Sequence, residues 1–213
     1  EDIDDGLIRV FHAESFADDP TRILRAIRFE QRFGFHMDRR TLRWLKEALE
    51  EKLDLTVSRP RYFAEFRRFF SESNPVKCLN RFARLGGADS LQKMSYDADL
   101  FSVLHRRISK MRRGGVQFKN WPILYLLGLF WSMPDKVLSG RVAEFQICKS
   151  EKTVIQELPV VRAFLKQAGP GFDEDFSDFF DRFSEEIILF VWAANLSKIK
   201  SSAWTSYVNR RAG

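Results

Sequence analysis

Asp19 and Arg22 stand three residues apart in the run DDPTRILRAIRFEQRFGF at positions 18–35. On a helix that spacing makes two side chains neighbours on one face. A carboxylate only accepts hydrogen bonds and a guanidinium only donates them. Facing one site together, they complement an edge that carries a donor beside an acceptor. Cytosine and adenine have such edges: an exocyclic amino group next to a ring nitrogen. Guanine and uracil present the reverse pattern and would be refused. The plainer reading of the same spacing has Asp19 capping its helix with its carboxylate on backbone amides, and Arg22 in an ion pair.

Arg22, Arg25, Arg28 and Arg32 recur at three- and four-residue intervals. A stripe of guanidiniums suits phosphate or a planar base edge, because each donates two parallel hydrogen bonds. Asp19, Arg22, Arg25 and Arg28 are therefore the candidate nucleotide-binding residues, while Asp18, Asp19, Glu30 or acids on neighbouring helices could instead absorb some of that charge. Further basic clusters are Arg59, Arg61, Arg67 and Arg68, then Arg81 with Arg84, HRRISKMRR at 105–113, and Asn209-Arg210-Arg211. With a net charge of +6, the chain tilts toward an anionic partner. Arg59, Arg61, Arg106, Arg107, Lys110, Arg112 and Arg113 are candidate phosphate contacts for RNA, although a solvated helix end explains 105–113 equally well.

Reactive machinery is sparse. His12, His36 and His105 stand apart without metal-ligand spacing, and no GxSxG, Walker loop or glycine-rich phosphate cradle occurs. A compact carboxylate pair beside a Gly-Ser turn, which metal-assisted phosphoryl transfer requires, is missing too. No catalytic residue and no metal ligand is assigned. Cys78 and Cys148 lie far apart, which reads as buried thiols in a reducing, cytoplasmic setting. The apolar stretches 121–133 and 187–196 fall short of the ~20 residues of a membrane span.

The elements that must hold these residues are helical. Residues 7–12, LIRVFH, alternate like a strand, but nothing later offers a partner. From there on the chain predicts an all-α array of about ten helices. Asp19-Pro20 starts one, with Ile23, Leu24, Ile27 and Phe33 as its buried face and Gly34 at its end. Asp38 caps the next, Ser58 opens SRPRYFAEFRRFF, and Asn74-Pro75 opens a helix closed by Gly86-Gly87. Later breaks are expected near Gly114-Gly115, Pro134, Gly140, Pro159 and Gly169-Pro170-Gly171. The run DFSDFFDRF reads as a packed helix, since its acidic neighbours disfavour phosphate.

The stretch GLIRVFHAESFADDPTRILRAIRFEQRFGF closely resembles the head–neck junction of class II tRNA nucleotidyltransferases, the CCA-adding or A-adding enzymes, and of their bacterial poly(A) polymerase relatives. The carriers are an IR-x-(L/V/T) strand, the (E/D)-D-x-x-R motif at Asp18-Asp19-Pro20-Thr21-Arg22, and R-A-x-R-F at 25–29. Downstream, Ser58 and Arg59 with Glu65 resemble the family's S-x-x-R…E helix, and the segment from Asn74-Pro75 to Leu85-Gly86 its N-P…L-x-x-L-G segment. The resemblance is strong over residues 2–90 and faint beyond.

It implies that Asp19 and Arg22 choose CTP and ATP without a nucleic-acid template, and that later basic helices hold tRNA or another RNA 3′ end. It also implies a magnesium-binding head with GG-x-x-R-D and D-x-D motifs, which this sequence lacks. The chain is thus expected to hold a head remnant (1–17), a neck (18–92) and a body with the start of a tail (93–213), with magnesium held by the head alone. Addition of CMP or AMP to a tRNA 3′ end is the implied activity of the parent, with the chain inactive by itself. The alternatives are part of a poly(A) polymerase, a helical RNA-binding module without nucleotide selection, and a protein-interaction domain.

Overall fold

The computed structural model describes residues 2–167, 176–196 and 207. The chain forms two compact units, residues 1–95 and 96–213, and helices dominate both. In the first unit, β1 (Leu7–Ile8) leads into α1 (Ser15–Asp18) and α2 (Thr21–Phe33). Then come β2 (His36–Met37), α3 (Arg39–Glu50), α4 (Arg59–Arg67), α5 (Pro75–Phe82) and α6 (Ala88–Lys93), with tight 3-10 turns at Leu53–Leu55 and Arg68–Ser71 and a wide π turn at Ala83–Gly87.

The strand at the start has a partner after all. Leu7 pairs with His36 and Ile8 with Met37, in parallel. A parallel pair needs a long crossover between its strands, and α1 with α2 supply it. Gly34 ends α2 at φ +69°, a left-handed conformation that glycine adopts without penalty, and this reversal returns Phe35 to Met37 beside β1. Only two residues of LIRVFH are strand; Phe11 is bare to solvent.

Helix α2 buries Ile23, Leu24 and Ile27 completely, as its spacing predicts. Phe33, expected on that face, is 54% exposed; it stacks instead with Phe29 at 5.9 Å and meets the tilted ring of Phe35 at 5.4 Å. Asp38 caps α3, accepting from the amides of Arg40 at 2.7 Å and Thr41 at 2.9 Å. Asn74 does the same for Lys77 at the head of α5. Phe63, Phe66, Phe69 and Phe82 fill the core of this unit, where a phenyl ring needs no polar partner.

The second unit holds α7 (Ala98–Arg113), α8 (Trp121–Trp131), α9 (Asp135–Glu144), α10 (Lys149–Gln167), α11 (Phe176–Phe180) and α12 (Glu185–Ala194). Helix α8 is buried almost all round and packs against α7, α10 and α12. A Cβ at Gly128 would sit 2.8 Å from Leu104, so the glycine sets how closely α7 and α8 approach. Phe164 stacks on Phe179 at 3.5 Å and Phe180 is fully buried, so DFSDFFDRF is packing.

Two expected breaks are absent. Gly140 lies inside α9 and Pro159 inside α10. Proline within a helix costs about 3 kcal/mol, yet burying one large aliphatic side chain returns about 1.5–3 kcal/mol. Val154, Ile155, Leu158 and Val161 around Pro159 are all buried, and their sum wins. Cys78 is buried but Cys148 is exposed, and both are free, which corrects the expectation of two buried thiols. The Gly169-Pro170-Gly171 break and Asn209-Arg210-Arg211 lie outside the described residues.

Candidate nucleotide and RNA site

The head of α2 is built by its own sequence. Pro20 fixes the entry to the helix and occupies the N-cap position, and Asp19 folds back on the first turn. Its Oδ1 accepts from the Thr21 amide at 3.1 Å and the Thr21 hydroxyl at 2.7 Å. Arg61, on α4, brings Nη2 to 3.2 Å of the same oxygen. Oδ2 takes no bond from a described residue. The plainer reading therefore accounts for one oxygen of Asp19 and leaves the other. Burial opposes ionisation of this carboxyl, but the Thr21 bonds and the charges of Arg61 and Arg22 outweigh it and hold its pKa below the usual value. At neutral pH Asp19 is an acceptor.

Arg22 is half-buried and donates through Nη1 to the Ser15 carbonyl at 3.0 Å. That carbonyl also takes the Asp19 amide at 3.4 Å, so the short helix α1 orients both members of the pair. The remaining guanidinium donors of Arg22 meet no described residue. Arg25 is exposed and has no ion pair among the described residues.

Arg28 is different. It is 9% exposed, bonds Glu72 at 3.1 Å and lies over the Phe29 ring at 4.5 Å. Arg32 reaches the same Glu72 at 3.9 Å. Glu30, also buried, receives a two-pronged bond from Arg81 at 2.6 and 2.8 Å. The acid that absorbs this part of the stripe is Glu72, in the turn before α5, while Glu30 of α2 is taken by Arg81. Acids from neighbouring elements were an expected alternative, but residue order does not name Glu72 or Arg81, because neither is near α2 in the chain.

Among the basic residues of α4, Arg59 is half-buried and Arg61 exposed. Counted from Ser58, the arginine of S-x-x-R is Arg61 rather than Arg59, and it is Arg61 that touches Asp19. Arg68 pairs with Glu65 at 2.8 Å. On α7, Arg106, Lys110, Arg112 and Arg113 are exposed and Arg107 half-buried. Arg107 bonds the Asn195 side chain at 2.6 Å, Arg113 the Ser109 carbonyl at 3.2 Å, and Arg112 covers the Trp121 ring at 5.6 Å. His105 lies 2.9 Å from the Tyr125 hydroxyl, and burial, with help from Arg112, lowers its pKa; it is a packing residue.

No group of three or more His, Cys, Asp or Glu side chains able to hold a metal ion occurs among the described residues. The described residues do not fit the magnesium that the resemblance implies for the head. Among those residues, no helix is long and apolar enough to cross a membrane.

No family model matches the sequence. The chain is 26% identical to the A-adding tRNA nucleotidyltransferase of Geobacter sulfurreducens over all of its own length and 26% of that protein. It is 32% identical to the same enzyme of Halalkalibacterium halodurans over 49% of the chain and 25% of that protein. Among solved structures, a CCA-adding enzyme complexed with ATP superposes with a TM-score of 0.69 at 28% identity, over 99% of this chain and 52% of the other. The Thermotoga maritima CCA-adding enzyme complexed with tRNA gives a TM-score of 0.69 at 25% identity, over 98% of this chain and 52% of the other. The fold is that of the helical neck and body of CCA-adding enzymes. Sequence and fold together are consistent with the class II tRNA nucleotidyltransferases. The chain spans about a quarter of the length of these curated relatives.

Proposed function

We propose that this chain is the nucleotide-selecting and RNA-holding part of a tRNA nucleotidyltransferase, a cytoplasmic enzyme that adds CMP or AMP from CTP or ATP to a tRNA 3′ end. The observation that carries the reading is the pair at the head of α2. Asp19 is fixed through its Oδ1 and Arg22 through its Nη1, and each keeps hydrogen-bonding capacity to spare. Asp19 Oδ2 accepts from the amino group of cytosine or adenine, while Arg22 donates to the neighbouring ring nitrogen or to the cytosine carbonyl. A guanine or uracil edge would set donor against donor and acceptor against acceptor. Unpaired polar groups of that kind exclude a competitor far more strongly than a poor apolar fit does. Residues 1–17 are then the end of a catalytic head, 18–92 the neck and 93–213 the body with the start of a tail. Arg25 supplies charge for the triphosphate, and Arg28, spent on Glu72, holds α2 in place.

Arg59, Arg61, Arg106, Arg107, Lys110, Arg112 and Arg113 contact RNA phosphates in this reading. Magnesium and the carboxylates that bind it belong to the head, so this chain alone gives no extension of a tRNA lacking its 3′ end. The names of the relatives, A-adding and CCA, support addition to tRNA.

The test is to replace Asp19 and Arg22 together by alanine and to compare binding of all four nucleoside triphosphates. Loss of the preference for CTP and ATP, with the fold kept by circular dichroism, is expected. An unchanged preference would favour an RNA-binding module without nucleotide selection.

A further inference from the structure

We propose that Thr21 is a specificity-determining positioning residue: its side-chain hydroxyl ties down one oxygen of Asp19 and so presents the other to the base. The inference rests on the reading of Asp19 and Arg22 as the base-reading pair. Three donors converge on Oδ1: the Thr21 amide, the Thr21 hydroxyl and Arg61 Nη2. A carboxylate oxygen has two good acceptor directions, so Oδ1 is saturated and cannot take a donor from a ligand. Asp19 thereby becomes a single acceptor in a fixed orientation. A single acceptor matches the one exocyclic amino group of cytosine or adenine.

The three donors are not equal. The hydroxyl bond is the shortest, at 2.7 Å, and Thr21 is only 3% exposed, so its β-branched side chain has no room to turn away. A hydrogen bond from a hydroxyl to a carboxylate is also among the stronger kinds. Arg61 by contrast has a side chain 60% exposed, and an exposed ion pair holds geometry weakly. Without the hydroxyl, Oδ1 keeps only the longer Thr21 amide bond and the contact with exposed Arg61, so the carboxylate turns more easily about its last bond and its second acceptor loses its fixed direction. An edge with its amino group displaced, as in guanine, would then find a partner.

The experiment measures binding of ATP, CTP, GTP and UTP by equilibrium dialysis to the full-length protein and its variants. Thr21→Val keeps the shape and removes the hydroxyl; Thr21→Ser keeps the hydroxyl. The expected result is that Val lowers the preference for ATP and CTP over GTP and UTP about tenfold, the size of one charge-assisted bond, while Ser stays within about twofold. Should Val not fold at this buried site, Thr21→Ala gives the same comparison. A full preference in the Val or Ala variant, with Asp19→Ala losing it, overturns the role of Thr21 and leaves the base-reading pair standing. A full preference in Asp19→Ala overturns the pair, and the role of Thr21 with it.

Discussion

Asp38 accepts from two backbone amides at the start of α3, from the Thr41 hydroxyl at 3.2 Å and from Arg9 Nε at 3.2 Å. Burial opposes its ionisation, but these bonds prevail and lower its pKa, as happens at Asp19. A carboxyl whose folded value is depressed stabilises the fold above its unfolded pKa, near 3.8 here. That contribution disappears as the pH falls through the lower folded value. The first unit should accordingly keep its stability down to about pH 5 and lose part of it below about pH 4. Asp38→Ala should cost about 1 kcal/mol at pH 7 and flatten the acid limb. Urea unfolding followed between pH 3 and 7 checks both. An acid limb identical in the variant would mean that the cap bonds contribute nothing. At this scale Asp38, Asn74 and Gly34 were readable from sequence, because a cap and its helix lie within a few residues of each other. The state of Asp19 was readable only in part: its contact with Thr21 is local, that with Arg61 is not.

Helix α2 carries the proposed site, and its placement depends on two ion pairs with long reach. Arg28 meets Glu72 across 44 residues of chain, and Glu30 meets Arg81 across 51. Removing one member of a buried pair strands the other charge in a poor solvent, at a cost of about 3–5 kcal/mol. Replacing both by apolar residues of similar size is often close to neutral. Arg81→Met should therefore be strongly destabilising, and adding Glu30→Leu should recover much of that stability. A double-mutant cycle on the denaturation midpoint decides the matter; simple additivity would show that the pair carries no coupling. Helical spacing along α2 marks its inward face but names no partners. The same limit explains α9 and α10, which run through Gly140 and Pro159 because side chains from elsewhere bury their neighbours.

The molecule as a whole has a basic coat, but only part of it is available to a partner. Arg28, Arg68, Arg81 and Arg107 are bonded to side chains of the protein. Arg106, Lys110, Arg112 and Arg113 stay exposed along the later turns of α7. Each phosphate neutralised by a cationic side chain releases counterions, so affinity for RNA falls steeply with salt. Replacing Arg106 and Lys110 by glutamine should lower the slope of log affinity against log salt by about 2, close to 1 for each cation removed. It should weaken binding to all tRNA sequences alike. Filter binding of tRNA over a range of potassium chloride concentrations tests this, and an unaltered slope would move the RNA-binding surface off α7. Net charge alone could not have made this division, since charge counted along a chain does not record which residues have already found acids.

From sequence alone follow the helical class, the starts and stops of most helices in the first unit, the buried face of Ile23, Leu24 and Ile27, and the three-residue spacing on which the proposed Asp19–Arg22 pair rests. All of these depend on contacts within a turn or two, or on one face of one helix, and such contacts are written in residue order. Tertiary structure decided the partner of β1, the exposure of Phe33 and Cys148, the diversion of Arg28 to Glu72, and the arrival of Arg61 at Asp19. Each joins residues far apart in the chain or depends on what a neighbouring element leaves uncovered, and only the closed fold brings such groups within reach.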